Sequence, residues 1–173
     1  GAWAFIALAV GLSVPLVIER GWPVIAIGIP SLYFAYGYTG GRLPLAYRGL
    51  GELFVVLFFG LVALTGTYFI QTGSWSWQPV VLGLQVGMLS TVLIAVNNLR
   101  DIDEDRAANK HTLAVRFGKA WARKEISVLC FLPLLMGSHW FHHAELAFFL
   151  PLLVGVLGFI IQSKVHATEP SEA

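Results

Sequence analysis

The amino-acid sequence predicts an all-α bundle of membrane-spanning helices. Its 173 residues are 57% hydrophobic and only 12% charged, the mean hydropathy is +0.72, and several apolar runs approach the roughly 20 residues a helix needs to cross a bilayer. Runs of that length are not those of a soluble core. A net charge of +1 gives no footing for a nucleic-acid partner. The single cysteine, Cys130, excludes an internal disulfide, and its place in an apolar run makes it an expected buried packing residue. The chain starts at Gly1 with no charged leader ahead of its first apolar run, so that run does not read as a signal peptide and the chain is expected to be a piece of a longer protein.

Six spans are expected, in order, at residues 2–18, 22–37, 52–70, 80–97, 126–137 (extending toward Trp140) and 146–161. The second and fifth are short for about 30 Å of hydrocarbon and call for interfacial residues to lengthen them. Pro15, Pro23 and Pro133 lie within or beside spans, where neighbouring helices satisfy the carbonyls they free. Trp22, Tyr36, Tyr38, Trp75, Trp77 and Trp140 gather at span ends as an interfacial aromatic belt. His139, His142, His143 and Glu145 read as a polar interfacial loop, and His111 and His166 have no evident partner in the sequence.

Orientation follows from the loops. Arg42 and Arg48 lie in the second loop, seven lysines and arginines from Arg100 to Lys124 in the fourth, and Lys164 after the last span, so ten of the eleven basic residues occupy alternate loops. Only Arg20 lies on the other side. The positive-inside rule then assigns the basic loops to the cytoplasm.

All three aspartates, Asp101, Asp103 and Asp105, fall in one stretch, NNLRDIDEDRAANKH, at residues 97–111. Charge beside a bilayer is expensive and marks a site, a pathway or a helix end. On a helix, Asp101 and Asp105 share a face about one turn apart, with Asn97 one turn earlier on the same face. Asp103 points about 200° from Asp101. Two carboxylates so placed, with an amide oxygen beside them, suit a hard divalent cation that keeps waters and bridges to a diphosphate. Arg100, Arg106, Lys110 and Arg116 are available for the phosphate oxygens. A solvated helix end or a cation path lined by Asp101 and Asp105 would draw on the same residues, although a basic loop suits a diphosphate better than a bare cation. The second loop, YTGGRLPLAYRGLGE at residues 38–52, is glycine-rich, which lets backbone approach a ligand, and falls on the same side.

The run NNLRDIDEDRAANKHTLAVRFG and the preceding YTGGRLPLAYRGLGE together resemble the UbiA superfamily of intramembrane aromatic prenyltransferases, and within it the branch acting on 1,4-dihydroxy-2-naphthoate. The NNxRD start, the KxTLAVRxG continuation and the GG…PLxYRGLGE loop occur in the family's order and spacing. Arg42 stands where proline is common, and Asn109 where glycine is usual. The resemblance implies one prenyltransferase domain over residues 1–173, carrying six of about nine helices, with the first Asp-rich motif before Gly1 and a further helix after the chain. It implies Mg²⁺ held by Asp101, Asp105 and Asn97, with Asp101 and Asp105 essential to catalysis. Arg100, Arg106, Lys110 and Arg116 would bind diphosphate, and Tyr38, Tyr47, Arg48, Glu52 and Asn98 an aromatic acceptor. The implied partners are a polyprenyl diphosphate, dihydroxynaphthoate and the lipid bilayer, in a bacterial cytoplasmic membrane with the site facing the cytoplasm. Another acceptor, such as 4-hydroxybenzoate or homogentisate, is the alternative within the superfamily.

Overall fold

The computed structural model describes residues 2–38 and 45–141, with short helical pieces at 155–156, 158–160 and 163. Helices α1 (Ala2–Arg20) and α2 (Trp22–Gly37) are separated by Gly21, whose φ of 75° turns the chain where an L side chain would be strained. Pro23, in the first turn of α2, needs no backbone partner there. A short 3₁₀ turn, Leu45–Arg48, leads into a helix that runs from Gly51 to Thr72 as three pieces: α3 (Gly51–Val55), a π-helical segment (Val56–Val62) and α4 (Ala63–Thr72). The central helix α5 (Gln78–Arg100) follows, then the short α6 (Ile102–Ala107) and α7 (Leu113–Phe117), and α8 (Lys119–Met136). Among the described residues there is no strand.

The first four expected spans agree with these helices to within a turn. Three helices, Trp3–Arg20, Gly51–Thr72 and Gln78–Arg100, are long and apolar enough to cross a membrane, and α2 is a shorter apolar helix. The fifth helix starts at Lys119 rather than near 126, because the charged turn before the apolar part is helical too. The sixth expected span, the histidines at 142, 143 and 166, and Arg42 lie largely or wholly outside the described residues. Cys130 is half-buried rather than buried.

Helix α5 is the axis of the bundle, packing against the π-helical segment on one side and α8 on the other. The first contact is backbone on backbone. A Cβ at Gly60 would overlap the Gly83 carbonyl oxygen and lie 2.6 Å from the Gly87 Cα, so only glycine allows the two helices to approach so closely. The second contact is polar: Gln85 Nε2 donates to the Pro133 carbonyl at 2.8 Å, and Trp140 Nε1 donates to Gln85 Oε1 at 2.7 Å. Both ends of a buried amide are thereby satisfied. Arg20, which lies outside the basic loops of the sequence, donates from Nε to the Ile70 carbonyl at 2.6 Å and from Nη2 to that of Gln71 at 3.0 Å. Those carbonyls close α4, where a cation complements the helix dipole, so Arg20 has a capping partner that explains its departure from the charge pattern.

Candidate functional site

The aspartate stretch folds as a bend, not as one continuous helix. Asp101 separates α5 from α6 with φ −94° and ψ 19°, yet its carbonyl still accepts from the Asp105 N–H at 2.8 Å while its own N–H donates to Asn97. The i, i+4 relation therefore survives the bend. Ile102 is 2% exposed and packs with Ala114 and Ala122 from α7 and α8, which fixes the rotation of α6. With Ile102 inward, Asp105 is buried and Asp103 is turned out to a side-chain exposure of 76%, where it pairs with Arg106. Asp103 and Asp105 thus stand on opposite sides of α6, one exposed and one buried.

Lys110 is the hinge of the electrostatics. Its Nζ donates to Asp105 Oδ1 at 2.8 Å and lies 5.7 Å from the centre of the Tyr47 ring. Its pKa is raised, first by that hydrogen bond and further by the charges of Asp105 and Asp101, so both carboxylates act on one ammonium group. Asp101 receives both Arg100 Nε and Nη2, at 2.6 and 2.8 Å. That bidentate grip, aided by the charges of Arg100 and Lys110, holds its carboxyl below the usual carboxylate range. The turn that brings Lys110 back is made by Asn109 at φ 54°, a left-handed position that asparagine tolerates. Thr112 then caps α7, accepting from Val115 N at 3.3 Å.

The glycine-rich loop is stitched onto this turn. His111 N donates to the Tyr47 carbonyl at 2.9 Å, and Arg116 Nη2 donates to the Arg48 carbonyl at 2.9 Å. Gly49, with φ 70°, packs so tightly against the His111 carbonyl that a Cβ there would collide with it. Tyr47, Arg48 and Lys110 are thus neighbours although more than 60 residues separate the two segments. Arg106 and Arg116 occupy different places from Lys110: Arg106 faces outward with Asp103, and Arg116 holds the loop backbone.

Glu52 starts the next layer. It is 5% exposed, its Oε1 accepts from Asn98 Nδ2 at 2.7 Å, and its Oε2 is buried with no hydrogen-bond partner. Tyr38 sits beside it, with its hydroxyl 3.2 Å from where a Gly51 Cβ would lie; burial, then the Glu52 charge, raises the Tyr38 pKa. Tyr38 also lines an apolar cavity of about 440 Å³ with Phe34, Phe54 and Phe58. Glu125, one residue before the apolar part of α8, escaped sequence analysis because nothing local marks it. Burial pushes its carboxyl up to about 7, and the Glu52 charge adds to the shift. Since the folded state binds the proton more tightly than the unfolded state, stability falls as pH rises from about 4.5 to 7 and is flat above. Glu125→Gln removes that slope. Melting in detergent at pH 5 and pH 8 should show a native loss of about 1 kcal/mol across the interval, after allowing for solvent screening at a half-exposed site, and no such loss in the variant.

The metal question turns on donor chemistry. Among the described residues, no group of three or more His, Cys, Asp or Glu could hold a metal by itself. The chain offers the Asp101 and Asp105 carboxylates, which suits Mg²⁺, an ion that keeps waters and shares phosphate oxygens with its substrate. It does not suit a closed all-protein cage.

The UbiA prenyltransferase family matches residues 1–173, the whole chain. This chain belongs to that family. Among its relatives, the 1,4-dihydroxy-2-naphthoate octaprenyltransferase of Mycobacterium leprae is 40% identical over 119 residues, 69% of this chain and 40% of that protein. The enzyme of the same name from Mycobacterium tuberculosis is 42% identical over 69% of this chain and 42% of its own length. Human UbiA prenyltransferase domain-containing protein 1 is 33% identical over 75% of this chain and 38% of its length. The chain therefore spans about two fifths of the curated relatives it matches. No solved structure matches it. Family membership makes the chain an integral membrane protein, in keeping with its three long apolar helices. In this UbiA chain, Asp101, Asp105, Arg100, Lys110, Tyr47 and Arg48 form one neighbourhood, Tyr38, Glu52 and Asn98 a second beside it, and Asn97 lies one turn before Asp101.

Proposed function

We propose that this chain forms half of the diphosphate site and the acceptor-facing loop of a prenyltransferase. The enzyme moves a long polyprenyl group from its diphosphate to 1,4-dihydroxy-2-naphthoate, releasing diphosphate and CO₂ and giving the quinol, demethylmenaquinol. One observation carries the reading: a buried Asp105 is bound to Lys110, which lies over Tyr47 and within reach of the Asp101 charge. This convergence supplies anionic, cationic and aromatic groups at one helix end. Asp101, Asp105 and Asn97 would hold Mg²⁺, which when bound offsets the charge of the diphosphate. Lys110 and Arg100 exchange their carboxylate partners for diphosphate oxygens and stabilise the leaving group as the allylic C–O bond breaks. Arg106 and Arg116 stand further out, as a second ring of positive charge. Tyr38, Tyr47, Arg48, Glu52 and Asn98 orient the acceptor ring, whose carbon forms the new C–C bond as its carboxyl departs as CO₂. Apolar helix faces hold the prenyl tail.

Membranes carrying the intact enzyme should transfer a labelled prenyl diphosphate to dihydroxynaphthoate when Mg²⁺ is present. Transfer to 4-hydroxybenzoate in its place would move the reading to another acceptor. Diphosphate release that does not depend on any aromatic acceptor would sink it.

The partition of basic residues supports a site facing the cytoplasm of a bacterial inner membrane. In a variant lacking Cys130, Arg48→Cys should be reached by an impermeant thiol reagent only from the cytoplasmic side, and Ser74→Cys only from the outside. Labelling of both from one side overturns this topology.

A further inference from the structure

We infer that Arg116 is a positioning residue: its guanidinium fixes the backbone of Tyr47 and Arg48 beside the acceptor and does not itself bind diphosphate. The inference rests on the prenyltransferase reading above and gives a different role to a cation that the sequence groups with the diphosphate ligands. Arg116 stands on a fixed post. It lies in the last turn of α7, a helix of five residues whose Ala114 is 1% exposed and packs with Ile102 and Ala122. The Thr112 cap and the bond from the Arg116 N–H to the Thr112 carbonyl at 3.0 Å close that turn. The base of the side chain is therefore held by the same packing that turns Asp105 inward.

The far end of the side chain is committed to the glycine-rich loop. Nη2 donates to the Arg48 carbonyl at 2.9 Å across 68 positions of sequence, and Nε and Cζ come within 3.5 and 3.6 Å of the point a Gly49 Cβ would occupy. The flat guanidinium thus lies against bare backbone. Gly49 allows this, being buried at φ 70° and leaving the space that the His111 carbonyl fills. The carbonyls held at this seam are those of Tyr47 and Arg48 themselves: His111 N takes the first and Arg116 the second. Two consecutive peptide units are thereby registered against the turn that carries Lys110, and the Tyr47 ring comes to rest 5.7 Å from Lys110 Nζ. The backbone donor at 111 persists whatever its side chain, so the tie that depends on residue type is the one made by Arg116. A planar fork that donates to one carbonyl while lying along the chain is not reproduced by an ammonium group. The other three cations of this stretch are spent differently: Arg100, Arg106 and Lys110 each donate to an aspartate.

The test separates holding the loop from holding diphosphate. In the intact enzyme in detergent, Arg116→Met should raise the KM for 1,4-dihydroxy-2-naphthoate roughly 3- to 10-fold, the worth of one hydrogen bond, and leave the Kd for inorganic diphosphate with Mg²⁺ within about twofold. Tryptic cleavage after Arg48 in the folded enzyme needs no substrate, and it should quicken several-fold once the loop is freed. Gly49→Ala leaves every charge in place and should give the same changes, because its methyl group pushes the loop off the His111 carbonyl. Arg116→Lys should fall between native enzyme and Arg116→Met in both KM and cleavage. A weakened diphosphate Kd in Arg116→Met, an unchanged cleavage rate, or an Arg116→Lys enzyme equal to native in both readouts would each overturn the assignment. Should Arg116→Met fail to accumulate, Gly49→Ala and Arg116→Lys decide by the same criteria. An enzyme that transfers no prenyl group to any hydroxynaphthoate is a different result: the prenyltransferase reading then falls, while the cleavage rates still decide whether Arg116 holds the loop.

Discussion

Asp101→Asn and Asp105→Asn should each lower prenyl transfer by roughly three orders of magnitude, and Asp103→Asn should leave most of it. The three residues lie within five positions, so composition and local charge are nearly the same for all. What differs is direction. Asp105 is buried against Lys110, Asp101 faces the same ammonium while held by Arg100, and Asp103 stands at 76% side-chain exposure with only Arg106 for company. Asparagine keeps the size of each side chain and removes its charge, so at the first two positions a divalent ion and the diphosphate it carries lose a ligand. Removing the exposed Asp103 pair is worth about 0–1 kcal/mol in stability and nothing at the site. The assay is transfer of a labelled prenyl diphosphate to dihydroxynaphthoate at matched protein levels. Equal loss in Asp103→Asn and Asp101→Asn would mean that the helix face does not define the site. A cation path would instead give altered ion flux with no Mg²⁺-dependent diphosphate release in any variant.

The opposite exposure of Asp103 and Asp105 was legible from spacing, because residues two apart on a helix point to different sides. The apolar runs were legible for a similar reason: length against bilayer thickness leaves few alternatives. Less was visible where structure depends on contacts distant in sequence. Nothing local links Arg20 to the carbonyls at 70 and 71, His111 to Tyr47, or Glu125 to Glu52, since each pair is joined by the packing of separate helices. The start of α8 was placed too late because hydropathy registers the apolar half of a helix and not its charged first turns. The four cations near the aspartates read as equivalent in the sequence. In the fold they divide by role, with Arg100 and Lys110 on the carboxylates, Arg106 outward, and Arg116 on the backbone of the loop. Side-chain direction, which spacing determines only within one helix, makes that division.

The second large effect is expected far from any charge. Gly60→Ala should destabilise the protein by roughly 3 kcal/mol or more, while Gly28→Ala should be neutral or slightly stabilising. Both glycines lie in apolar helices, and by propensity alone alanine would favour each by about 0.5–1 kcal/mol. At Gly28 no atom lies within 4 Å of the new methyl group, so propensity decides. At Gly60 the methyl group would overlap the Gly83 carbonyl and meet the Gly87 Cα at 2.6 Å. These are backbone atoms, which cannot rotate aside as a side chain can. The π-helical segment from Val56 to Val62 and α5 would have to separate along their closest contact, and Thr91, fully buried and donating to the Gly87 carbonyl at 2.7 Å, would move with them. Because Glu52 and Asn98 lie on the same two helices, one to three turns from the crossing, separation should also lengthen their 2.7 Å hydrogen bond. Gly60→Ala should therefore lower the melting temperature in detergent and, in whatever fraction remains folded, raise the KM for the aromatic acceptor more than that for the prenyl diphosphate. Equal melting temperatures for Gly60→Ala and Gly28→Ala would show that this crossing has room for a methyl group and that the spacing of the two helices is set elsewhere.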